Sequence, residues 1–116
     1  MPNMTIYKFG DVILVPFPFT NGSSGKKRPA IVISSDSYDR SKPDVILIAV
    51  TSQVNTELRF GEALVNNWSA AGLLKPSVIK PVIATVEKNL VIRKLGKLEA
   101  PDLEVLESIL QQIIQR

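Results

Sequence analysis

Three cations, Lys26, Lys27 and Arg28, run directly into Pro29 and an apolar stretch from Ala30 to Ile33. Further along, a second apolar stretch ends in Thr51, Ser52 and Gln53. A strand can begin anywhere on a surface and needs no cations to do so, which makes the first cluster informative. If the two apolar stretches are antiparallel neighbours, the start of one lies beside the end of the other. Cations, two hydroxyls and an amide then meet. Such a cluster can grip a phosphate, because a guanidinium forks two oxygens and a hydroxyl donates to a third.

The same cluster could promote cleavage of RNA. The ribose 2′-hydroxyl attacks its own phosphate, and negative charge builds on the non-bridging oxygens. Donors already in place stabilise that state more than the ground state. The nucleophile belongs to the substrate, so the step requires no metal. Arg28 suits the electrostatic role. A guanidinium holds its proton too tightly to be a good base, and Thr51 and Ser52 are not bases without a partner. Composition therefore names no proton-transfer group.

Each residue also has a plainer use. Lys26-Lys27-Arg28 suits a solvated turn, and Thr51-Ser52 suits a strand end. Trp68, Phe17 and Phe19 suit core packing better than base stacking. Lys75 and Lys80 flank Ser77, Val78 and Ile79, where they extend a basic groove or form ordinary surface.

The rest of the composition narrows the classes. The chain has 116 residues, 45% of them apolar, which suits one domain with one core. It contains no cysteine, so disulfides, thiolate metal sites and thiol nucleophiles are excluded. It contains no histidine, which removes the usual base near neutral pH and the commonest zinc ligand. The N-terminal stretch has no apolar run fit for a signal peptide, and no run is long enough to span a bilayer. The chain reads as cytoplasmic. Its charge is uneven: residues 99–116 sum to −3 and residues 1–98, with 13 cations and 7 acids, to +6. A basic body fits an anionic partner such as nucleic acid, and equally fits ordinary solubility charge.

These residues need elements to hold them. The stretch 11–19 reads as a first strand, with Pro16 and Pro18 at an edge or at its end. A turn-rich loop follows over 20–27, then a central strand over 29–35, a polar loop over 36–44 and a third strand over 45–52. A fourth strand is expected over 59–65 with Gly61 as a bulge. Residues 66–76 are irregular. A fifth strand over 77–86 is interrupted by Pro81, and 90–98 is a short strand or helical turn. From Pro101 the period becomes helical, with Leu103, Leu106 and Leu110 on one face. Pro101 suits the first turn, and Asp102 and Glu104 suit the positive end of the helix dipole. The pattern predicts a mainly β chain, a small, strongly curved antiparallel sheet or barrel with a C-terminal helix.

In their order, "GDVILVPFPFT", "KKRPAIVIS", "VTS", "GLLKPSVIKPVIATVEKNLVIRKLGKL" and a C-terminal helix resemble the MazF/PemK (Kid) family of toxin ribonucleases from toxin–antitoxin pairs. The resemblance spans about Gly10 to Ile114. It implies an SH3-like β-barrel formed by residues 1–116 as one toxin domain, working as a homodimer. It implies metal-independent, sequence-selective cleavage of single-stranded RNA, with no cofactor, leaving a cyclic phosphate and a 5′-hydroxyl. The motif arginine falls on Arg28 and the hydroxyl on Thr51, as catalytic residues. Lys26, Lys27, Ser52, Gln53, Thr20, Asn21 and Lys80 would bind RNA. The partner implied is a cognate antitoxin, acidic and partly disordered before binding. Some members carry an acid after the first strand or around the fifth, where this chain has Thr20-Asn21 and "KPVIAT". Two other readings stay open: a toxin of the same fold that binds DNA gyrase without catalysis, and a barrel that binds RNA or protein without cutting. The gyrase toxins rely on a terminal aromatic, and this chain ends "QQIIQR".

Overall fold

The computed structural model describes residues 6–16, 26–54 and 57–115. Six strands form one antiparallel sheet: β1 (Asp11–Pro16), β2 (Lys27–Val32), β3 (Asp44–Thr51), β4 (Ala63–Val65), β5 (Ser77–Glu87) and β6 (Arg93–Lys97). Their spatial order is β4-β5-β3-β2-β1-β6. The sheet curls into a half-barrel, and a C-terminal helix, α2 (Ala100–Ile113), packs on it.

Alternation along the central strands builds a core on each face. Val12, Ile31, Ile48 and Val50 point one way and meet Leu106 and Ile109 of α2. Their chain neighbours Ile13, Val15, Ala30, Val32 and Leu47 point the other way and join Tyr7 and Val86. A strand buried on both faces reads as a continuous apolar run, as these do. Pro16 is the last described residue of β1, and Pro18 lies outside the described residues.

Four expectations need correction. Residues 36–44, expected as a polar loop, contain a short helix, α1 (Asp36–Ser41). Ser35 caps it by accepting the Tyr38 N–H at 3.2 Å. Its buried Asp39 pairs with Lys88 at 3.0 Å, so polar contacts rather than an apolar stripe hold it. The fourth strand is only Ala63–Val65, because residues 59–62 form a turn. In that turn Gly61 takes φ +82°, the left-handed region, and is no bulge. The fifth strand is not interrupted by Pro81. Ile48 pairs with Ile83 and Val50 with Ile79, so Lys80, Pro81 and Val82 answer to Ala49 alone. The proline sits in this bulge, where no ladder bond asks for its missing N–H. Residues 90–98 hold both expected forms in sequence, the end of a 3₁₀ turn (Lys88–Leu90) and then β6.

Candidate active site

β2 and β3 are antiparallel neighbours, with Ala30 opposite Ala49, Ile31 opposite Ile48 and Val32 opposite Leu47. The same antiparallel order brings the start of β2, with Lys27 and Arg28, to the end of the sheet where β3 finishes at Thr51 and Ser52 follows. This is the meeting of strand start and strand end that the sequence suggested. Arg28 is half-buried, with its Nε shut off from solvent. The Thr51 hydroxyl oxygen accepts the Gln53 N–H at 3.1 Å. With the oxygen engaged as an acceptor, the hydroxyl proton remains to be donated to an anion.

A groove of about 410 Å³ opens at this end of the sheet. Its lining includes four cations, Lys27, Arg28, Lys75 and Arg93, together with Ser52 and Ser77, and no acid among the described residues. An anion entering it meets attraction without competition. The floor is apolar. Pro29, Leu14 and Arg93 form one row across three strands, since Pro29 pairs with Leu14 and Leu14 with Arg93, and all three line the groove with Val50.

The groove wall depends on a close backbone crossing. Gly72 has φ +89°, and a Cβ there would clash with the Leu95 carbonyl; a Cβ on Gly96 would clash with the Ala71 carbonyl. Two glycines thus let residues 71–72 lie against β6, which brings Leu73 and Lys75 beside Arg93 and Leu95 in the lining. At its start, the same segment is tied to α2. Asp102, buried at 1% exposure, accepts the N–H groups of Asn66 at 3.0 Å and Asn67 at 2.8 Å. Trp68 packs against the core, as expected.

The other predicted residues divide. Lys27 and Ser52 line the groove, whereas Lys26 and Gln53 are exposed and outside its lining. Thr51 is flanked by the lining residues Val50 and Ser52 without being one. Lys80 lies outside the lining and is held by Glu62 at 2.6 Å. Thr20 and Asn21, with Phe17 and Phe19, lie outside the described residues. Sequence reasoning missed Arg93, although the basic run "IRKLGK" on an expected strand was a usable signal.

It also missed Glu62, just before β4, which reaches Lys80 of the neighbouring β5. The Lys80 ammonium, hydrogen-bonded to it, and then the Arg59 N–H hold the Glu62 carboxyl below the usual carboxylate range. Among the described residues no three acidic side chains gather as a metal site would require.

Solved structures share this fold. The fold matches a mycobacterial endoribonuclease solved with its cognate antitoxin, at TM-score 0.74 and 15% identity over 92% of this chain and 93% of that one. It matches MazF from Deinococcus radiodurans at TM-score 0.74 and 18% identity, over 97% and 99% of the two chains. It matches the Mycobacterium tuberculosis toxin MazF-mt6 at TM-score 0.68 and 20% identity, over 88% and 94%. At such identities the likeness is one of fold. No curated protein matches the sequence. The family model for PemK-like, MazF-like toxins matches residues 8–114, nearly the whole chain including both strand ends of the cationic cluster, and the chain therefore belongs to that toxin family of type II toxin–antitoxin systems.

Proposed function

We propose that this toxin is an endoribonuclease that cuts single-stranded RNA without a metal, in the cytoplasm. The 2′-oxygen forms a bond to phosphorus, the bond from phosphorus to the 5′-oxygen breaks, the 2′-hydroxyl proton leaves and a proton is delivered to the 5′-oxygen. The products are a 2′,3′-cyclic phosphate and a 5′-hydroxyl. Arg28 stabilises charge on the non-bridging oxygens, and Thr51 donates its hydroxyl proton to the same group. Lys27 and Ser52 hold the strand in the groove, while Lys26 and Gln53 extend its approach. The observation that supports this most is the groove at the β2 start and β3 end, whose described lining holds Lys27, Arg28 and Ser52 and no acid.

The partners follow from the family. An acidic antitoxin would lie over the cationic groove and block it; a mycobacterial relative was solved with its own antitoxin. A second copy of the chain would cover the apolar end of the molecule where Phe60 is 75% exposed, Ile114 is 42% exposed and Gly61 packs on Pro81 and Ile113. Sedimentation equilibrium at micromolar concentration reads this: a single species of monomer mass would refute the dimer.

End mapping on a long single-stranded RNA, in EDTA, tests the activity. Wild type should leave discrete 5′-hydroxyl ends, and Arg28→Ala should lose roughly 10²–10³ in rate, the usual cost of one donor to a developing oxyanion. Undiminished cleavage by that variant would defeat the assignment. Binding without cuts would make the chain a non-cleaving RNA barrel. Neither binding nor cuts would turn attention to a protein target such as gyrase.

A further inference from the structure

Two groove cations have no part in the cleavage step just described, Arg93 on β6 and Lys75 at the end of the 66–76 segment. Arg93 pairs in register with Leu14, and both line the groove. Lys94, next along β6, leaves on the other face and binds Asp11 at 3.2 Å. The alternation therefore aims Arg93 inward. Lys80, Lys88 and Lys94 each hold a carboxylate, whereas among the described residues Arg93, Lys75 and Lys27 form no ion pair.

β6 lies two strand spacings from β2, with β1 between them, about 10 Å away. That separation suits neighbouring phosphates on one strand better than a single shared phosphate. Between Arg28 and Arg93 runs the apolar floor of Pro29 and Leu14, with Leu73 on the wall. Each nucleotide carries a flat ring and one anion, and the groove offers an apolar floor with cations at its rim. At about 410 Å³ the groove takes a nucleotide-sized group. A helix of an acidic protein, about 10 Å across, would rest on its rim without filling it.

Building on the ribonuclease reading, we propose that Arg93, with Lys75 beside it, binds the phosphate next to the scissile one, with the intervening base on the floor at Leu14 and Leu73. These contacts hold a phosphate whose charge does not change during the reaction, so they act on binding rather than on the chemical step.

Steady-state cleavage of a single-stranded RNA spanning one mapped cut, run across a salt series, tests this. Arg93→Gln should raise KM about tenfold, leave kcat within about twofold, and flatten the dependence of log KM on log salt by about 0.7. Lys75→Gln should shift both in the same direction. Lys94→Gln, on the same strand but facing away, should leave KM and slope where they were. Melting temperatures taken alongside should stay at the wild-type value for Arg93→Gln, since it breaks no ion pair among the described residues.

An unchanged KM and slope for Arg93→Gln, in protein that cuts RNA through Arg28, overturns the proposal and leaves the ribonuclease reading intact. A fall in kcat with KM unmoved also overturns it. If wild type binds the RNA without cutting, only the ribonuclease reading fails, and the same slopes are read from equilibrium binding. If wild type neither binds nor cuts, both fall. Unmoved RNA kinetics together with weakened inhibition by poly-glutamate would make this lip a surface for an acidic protein instead.

Discussion

Thr51 and Ser52 are adjacent in sequence but differently placed. Thr51 stands in the row of Val78, outside the groove lining, and Ser52 lines the groove with Lys27. Their hydroxyls therefore do not substitute for one another. Thr51→Ala should lower kcat by about a hundredfold, the loss of one donor to a developing oxyanion, and Thr51→Ser should restore most of it. Ser52→Ala should act mainly on KM. Equal kcat losses for the two alanine variants in single-turnover cleavage would show that the two positions are not functionally distinct. Thr51→Ala also frees the Gln53 N–H, which is exposed and can turn to water, so its stability cost is about 1 kcal/mol or less.

Among the elements, the 66–76 segment and α2 are joined by Asp102. Its buried carboxylate accepts two backbone N–H groups, and Asp102→Ala leaves both without it. Urea denaturation should show a loss of about 2–3 kcal/mol, and the groove wall formed by Leu73 and Lys75 should loosen enough to raise KM. A variant as stable as wild type would show that the tie is dispensable. The sequence carried the main strands, since β2 and β3 are unbroken apolar runs, and it carried α2 through its helical period. It also made β2 and β3 antiparallel neighbours, because two such runs leave few choices of partner. It did not carry α1, whose six residues bury only Asp39 and whose hold on Lys88 spans 49 residues of chain. Nor did it carry Asp102's role. A carboxylate in a first helical turn is ordinary dipole chemistry until a distant segment folds against it. Arg93 was hidden for the same kind of reason, as its place in the groove arises only when β6 joins β1 and the two glycines cross.

For the molecule as a whole, charge is the organising variable. With no histidine, the chain lacks the side chain that ordinarily titrates between about pH 5 and 8. The pH response that can be assigned lies lower, at Glu62. Its folded-state carboxyl is held below the ordinary value by Lys80, so its contribution to stability is complete above the unfolded value of about 4.3 and is lost as pH falls through the folded one. Wild type should therefore exceed Glu62→Gln in urea stability by a constant amount from pH 7 to 5, and the gap should close at more acid pH. A gap unchanged at pH 3 would refute the coupling. No described helix is long and apolar enough to cross a membrane. The two end strands of the sheet are guarded differently. β4 has only three residues, while three of the five residues of β6 are cationic: Arg93, Lys94 and Lys97. Charge on an end strand discourages pairing with another sheet. On the proposed reading, substrate and sheet-to-sheet pairing would compete for one edge, because RNA along β6 would neutralise the charge that guards it. Short RNA should then promote aggregation of a toxin that stays dispersed without it, and light scattering reads the difference.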